Sequence, residues 1–222
     1  MAPQPRLEDT LVRGYSQLAR QAASRRIDVE LRALDVVLSL LLFLPALPIM
    51  AGIALAIALD DGLPVLYRGE RVGRAGRFFT INKFRTLRRG AEGRLGPYLG
   101  PELVARTESE VTRVGRWLKA SQLDELPQLW NVLRGDMSLV GPRPIRPRFF
   151  SELAREIPAY WQRLVVKPGL TGFAQMRRGY ETSMEEKLAH DLEWIADRNV
   201  PLYLRTLTAT GWRVLKQSVR RS

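Results

Sequence analysis

The chain has 222 residues, with 35 Lys and Arg against 23 Asp and Glu, a net charge of +12 with its one His neutral, and no cysteine. That length holds one or two domains, and a composition 45% apolar and 26% charged excludes a chain that is disordered throughout. The missing cysteines exclude a disulfide scaffold, zinc ribbons, Fe–S ligation and thiol catalysis, the lone His190 excludes HExxH zinc chemistry, and no GxxxxGKS/T loop marks a P-loop nucleotidase.

In chain order, residues 1–34 come first. Leu7, Leu11, Tyr15, Leu18 and Ala22 recur at three- and four-residue steps, which predicts an amphipathic helical lead-in. Residues 35–60 hold an uncharged run, Val36 to Leu59, bounded by Asp35 and by Asp60-Asp61. Its length suits a bilayer, which takes about 20 residues. Pro45 and Pro48 stand near its middle, and each removes a backbone N–H that a membrane helix needs. The run therefore reads as a kinked span or as a re-entrant hairpin of two half-helices, each about 9–14 residues and one leaflet deep. Arginines on both flanks suit a cytoplasmic address for both ends.

Residues 61–201 have the texture of a globular domain. Val65–Tyr67 and Phe78–Asn82 read as strands of a hairpin around Gly73–Gly76, and residues 88–101 read as loop. Thr107 with Glu110, and Ser183 with Glu186, have capping-box spacing. The second pair opens a predicted helix, Met184–Asn199, with Pro201 as its stop. Residues 202–222 are basic and amphipathic around Trp212. They fit a membrane interface and a core-packed terminal helix equally well.

Polar chemistry concentrates between Arg113 and Arg143. Asp124 and Glu125 are adjacent carboxylates near a helix start, whether that helix begins at Gln122 or at Pro127. Asp136 lies in a turn, read as structural support, and Pro142 and Pro144 bracket Arg143 in a rigid loop. Upstream, Lys83 and Arg85 fall on one side of a strand with Phe84 opposite. Each feature alone usually marks a solvated surface. Together they supply carboxylates, cations and stiff loops in a membrane-associated chain, which is what phosphoryl transfer with Mg²⁺ requires. A nucleic-acid binder would also use the positive charge, but it has no need of Val36–Leu59, so nucleic acid is not expected as a partner.

The apolar segment with its central Pro, RVGRAGRFFTINKFRTL, VTRVGRWLKASQLDELPQLWNVLRGDMSLVGPRP and VVKPGLTGFAQ together resemble the polyprenyl-phosphate glycosyl-1-phosphate transferases, the monotopic bacterial sugar transferases, from about Arg32 to the C-terminus. The resemblance implies a helix-rich α/β fold. A small catalytic domain would sit on interfacial amphipathic helices with a Pro-broken re-entrant hairpin at the bacterial cytoplasmic membrane, facing the cytoplasm. It implies transfer of a sugar-1-phosphate from a UDP-sugar to polyprenyl (undecaprenyl) phosphate, with UMP released and Mg²⁺ required. Asp124 would be the nucleophile and Glu125 its partner, both near the metal. Lys83, Arg85, Arg113 and Arg143 are candidate phosphate contacts, and Pro45 is the hairpin breaker. A homodimer through residues 1–31 and 202–222 stays open, and a non-catalytic membrane scaffold is the alternative reading.

Overall fold

One helix of 35 residues, α1 (Ile27–Asp61), carries the entire uncharged run. The computed structural model describes residues 26–91, 94, 106–177 and 183–220, so most of the 1–34 lead-in and most of the 88–101 loop lie outside the described residues. The helix starts at Ile27, inside the segment read as a separate lead-in, and Pro45 and Pro48 lie within it without an interruption. Two half-helices are thus not present as separate elements, although the Leu41 and Leu44 carbonyls lose their intrahelical donors at the prolines.

Both ends of α1 dock on the globular part. Leu31, Leu34, Leu38 and Phe43 pack on the main core. Met50, Ile53, Ala54 and Ile57 pack with Phe84 and Leu118 in a second cluster. Along its other face Val37, Leu40, Leu41, Leu42, Leu44, Leu47, Ile49, Leu55 and Leu59 are exposed, while Ala46 between the two prolines is buried. Polar anchors fix each end. The Arg32 guanidinium donates to the carbonyls of Val132 and Leu133 at 2.6 and 2.8 Å. Buried Asp35 accepts from Ser138 Oγ, Leu139 N and Tyr203 Oη at 2.9, 2.8 and 2.7 Å. At the far end Asp60 accepts from Val114 N at 3.0 Å, and Asp61 pairs with Arg85 at 2.5 Å.

The hairpin forms as expected, with longer strands. β1 (Leu66–Val72) pairs antiparallel with β2 (Phe78–Phe84), from Leu66 opposite Phe84 to Val72 opposite Phe78. Next comes α2 (Arg113–Ser121), whose N-terminus is capped by Thr112, its hydroxyl accepting from Gly115 N at 2.9 Å. Thr107 and Glu110 do not open a helix: residues 106–109 are already helical, and Glu110 N donates back to Thr107 O. α3 (Gln128–Arg134) stops at Gly135, which takes the left-handed φ of 90° that glycine adopts freely.

A second, parallel pair joins β3 (Ser138–Val140) to β4 (Gly169–Thr171), with α4 (Pro147–Glu156) between them. α5 (Phe173–Arg177) and α6 (Met184–Asp197) follow, the latter capped by Ser183 as predicted, with Glu186 N donating at 3.1 Å. Pro201 is not a stop. It sits in the first turn of α7 (Val200–Arg220), where its missing N–H costs nothing. α7 packs one face into the core through buried Tyr203 and Thr206, while Leu204 and Trp212 are exposed.

The loops flanking the parallel pair interlock through glycine. A Cβ on Gly169 would stand 2.0 Å from Gly141 N, and one on Gly172 would stand 2.3 Å from Gly141 O. No flexible group is available to yield, because the obstacles are backbone. Gly169→Ala is therefore expected to lower stability by about 3 kcal/mol, at the upper end of overpacking costs, and thermal unfolding of the purified protein measures it.

Candidate active site

α2 ends at Ser121, and Gln122 turns the chain sharply with a left-handed φ of 59°. A single 3₁₀ turn, Leu123–Glu125, follows, and α3 begins at Gln128. The Asp124-Glu125 pair therefore sits between two helices, not in the first turn of either. Its neighbours Leu123 and Leu126 pack into the cluster that docks the second half of α1. Apolar burial on both sides thus holds the two carboxylates beside the second half of the long apolar helix α1.

Asn131, fully buried on α3, ties that helix to the hairpin. Its amide donates to Thr80 O at 2.7 Å, and its carbonyl oxygen accepts from Asn82 N at 3.0 Å. This register brings the next residue, Lys83, to the pair, with its ammonium 2.5 Å from Glu125 Oε1. A polar residue inside the apolar stretch Leu129–Leu133 was the sequence signal for this tie.

The two carboxyls titrate apart. Burial, helped by the neighbouring Glu125 charge, pushes Asp124 up to about 6 against the opposing fields of Lys83 and Arg143. Burial acts on Glu125 in the same direction, but Lys83 and Arg143 overcome it and hold Glu125 below the usual carboxylate range. One carboxyl is a charged ion-pair partner. The other is a poorly solvated carboxyl that ionises only near pH 6.

The remaining sequence-predicted residues divide. Arg143 has an exposed side chain, and its charge reaches both carboxyls. Its loop is fixed by Pro142 O accepting from Gly169 N at 2.9 Å and by Ile145 O accepting from Val72 N at 3.0 Å, with Pro144 between. Arg85 does not stand beside Lys83. It lies past the end of β2, 8% exposed, and bonds the Asp61 carboxylate and the carbonyls of Asp61 and Gly62. In the structure these bonds anchor the end of α1. Arg113 also lies elsewhere, lining an apolar cleft of about 580 Å³ with Ile49, Gly52, Ile53, Val114 and Trp117. Asp136 accepts from Asn131 Nδ2 at 3.3 Å and lies 3.6 Å from Arg134 Nε, a turn-stabilising position.

Among the described residues no three Asp, Glu, His or Cys side chains cluster as metal ligands. Two adjacent carboxylates nevertheless fit Mg²⁺, which takes one or two protein carboxylates and completes its shell with water and substrate phosphates. The donor set suits an ion arriving with a diphosphate, not a resident cage.

Residues 28–217 match the family described as bacterial sugar transferase. The chain is 41% identical over 192 residues to a UDP-glucose:undecaprenyl-phosphate glucose-1-phosphate transferase of Caulobacter vibrioides, covering 82% of this chain and 69% of that protein. It is 36% identical over 179 residues to a UDP-N-acetylgalactosamine-undecaprenyl-phosphate N-acetylgalactosaminephosphotransferase of Aeromonas hydrophila, covering 79% and 41%. It is 38% identical over 201 residues to an undecaprenyl-phosphate glucose phosphotransferase of Komagataeibacter xylinus, covering 87% and 37%. The chain thus spans less than half the length of the last two relatives.

Proposed function

The chain belongs to the bacterial sugar transferase family, and from that premise we propose that it moves a sugar-1-phosphate from a UDP-sugar to a polyprenyl phosphate at the cytoplasmic face of the bacterial inner membrane. The observation that carries this reading is the Asp124-Glu125 turn, with Lys83 on Glu125 and the Arg143 charge on both carboxyls.

An oxygen of Asp124 attacks the phosphorus that bears the sugar. The bond from that phosphorus to the bridging oxygen breaks, and UMP leaves with the electron pair. A phosphate oxygen of the polyprenyl phosphate then attacks the aspartyl-phosphosugar, and the Asp124 carboxylate is regenerated. The covalent step splits one displacement between two anions into two displacements at a fixed site. Lys83 keeps Glu125 ionised, and Arg143 meets negative charge that grows on the phosphoryl oxygens. Mg²⁺, held by Glu125 with Asp124 beside it, would neutralise the diphosphate.

The membrane element fits a re-entrant reading. Both flanks of α1 dock on the same globular part, while Leu44, Leu47 and Ile49 around Pro45 and Pro48 are exposed. α7, with Trp212 outward and basic residues along it, suits the headgroup layer. The natural absence of cysteine makes a topology test simple. Single cysteines at Val29 and Leu63, both exposed, are expected to react with an impermeant maleimide in inverted vesicles and to be protected in intact cells. Labelling at opposite faces would make α1 a span.

The test of the reaction is UMP release by the detergent-purified protein with Mg²⁺, undecaprenyl phosphate and a panel of UDP-sugars. The panel is needed because relatives of similar identity are named for glucose and for N-acetylgalactosamine. Release with one sugar supports the reading, and release with none removes it.

A further inference from the structure

A buried ion pair lies behind the loop that presents Arg143. Arg163 and Asp191 meet at 2.7 Å, and both side chains are 5% exposed. Burying two charges costs about as much as their attraction returns, so such a pair is poorly explained by stability alone. The remaining contacts of Arg163 show what it does. Its Nη1 donates to Tyr160 Oη at 2.5 Å, its guanidinium lies 4.9 Å from the Tyr160 ring centroid, and its Nη2 donates to the Arg143 carbonyl at 2.9 Å.

We infer that Arg163, oriented by Asp191 and Tyr160, is a positioning residue that fixes the main chain of Arg143 and thereby sets where that cation meets the donor's diphosphate. The inference rests on the sugar-1-phosphate transfer proposed above. Three features support it. The loop between β3 and α4 has no ladder of its own at Arg143. Pro142 and Ile145 are held by backbone bonds on either side, and the Arg143 carbonyl is held by a side chain. Finally, the planar guanidinium makes all three contacts at once, a geometry that lysine cannot reproduce.

The experiment is a double-mutant cycle in UMP release with the full chain in detergent. Arg163→Lys keeps a positive charge opposite Asp191 and gives up the fork. It is expected to lower kcat/KM for the UDP-sugar by 10- to 100-fold, mainly through KM, as a displaced binding group does. Arg143→Ala is expected to lose as much or more. In Arg143→Ala/Arg163→Lys the loss should equal that of Arg143→Ala within about twofold, because Arg163 acts through Arg143. Losses that multiply would overturn the inference and leave Arg163 a general structural element. Tyr160→Phe removes one anchor of the guanidinium and no charge, and serves where Arg163→Lys fails to fold. Its loss, severalfold, should also vanish in the Arg143→Ala background, and persistence there would overturn the inference. Wild-type protein silent with every UDP-sugar would instead overturn the transfer reaction itself, and this inference with it.

Discussion

Asp124→Asn is expected to reduce UMP release by on the order of 10³-fold or more, the scale of losing a covalent nucleophile. The same substitution should stabilise the fold. Burial and Glu125 raise Asp124 to about 6, so its folded-state pKa lies above the unfolded value near 3.8. A carboxyl shifted in that direction destabilises the native state once ionised. The cost accrues as pH rises from about 4 to 6 and is constant above that. Asparagine has the same shape and no charge, so its gain is full above pH 6 and fades towards pH 4. We expect roughly 1–2 kcal/mol at pH 8 without Mg²⁺, discounted from the full shift for partial solvent access. Denaturant unfolding at pH 8 and pH 4 measures this, and donor labelled in the sugar-bearing phosphate should mark the wild-type protein but not the variant. Equal labelling of Asp124→Asn would remove Asp124 as nucleophile.

Lys83→Met is expected to cost 10²- to 10³-fold in kcat/KM at pH 7, comparable to deleting one donor to a developing oxyanion. The loss has a pH signature. Lys83 is a cation that holds both carboxyls down. Without it two adjacent, poorly solvated carboxyls share only the field of Arg143, and a proton is retained to higher pH. The acid limb of the activity profile should therefore move up in the variant, with partial recovery towards pH 9. A uniform loss at every pH would limit Lys83 to contacting substrate. Arg85→Met provides the contrast. Its guanidinium is committed to Asp61 and to two carbonyls at the end of α1, so it should lower stability and leave the acid limb in place.

Much of the site was legible because it depends on which residues are present. Adjacent carboxylates before a proline, a proline-bracketed arginine and a charge-free run announce their chemistry locally. The hairpin and α6 were legible because each carries its own signal, a glycine turn in one and a Ser183 cap in the other. The parallel pair was not, since β3 and β4 are three residues each and too short to show a period. Thr107 and Pro201 misled for a related reason. Proline marks a helix end without saying which, and Pro201 lies at the start of α7; the Thr107–Glu110 spacing signals a helix start, yet Thr107 already lies within the helical residues 106–109.

Lys83 and Arg85 mark the division most clearly. Two residues apart on one strand, they predict the same role, yet one reaches Glu125 and the other is drawn under α1 by Asp61, 24 residues upstream. Arg163 carried no local signal at all, since its meaning lies in a carbonyl 20 residues away and a carboxylate on another helix. By itself the sequence determined the family and the long apolar run, and it singled out the candidate carboxylates and cations. Only the tertiary structure decided which cations face the carboxyls and which of the two carboxyls is held low and which is pushed up. Burial and the positions of distant charges set a pKa or an ion pair, and both exist only once the chain has folded.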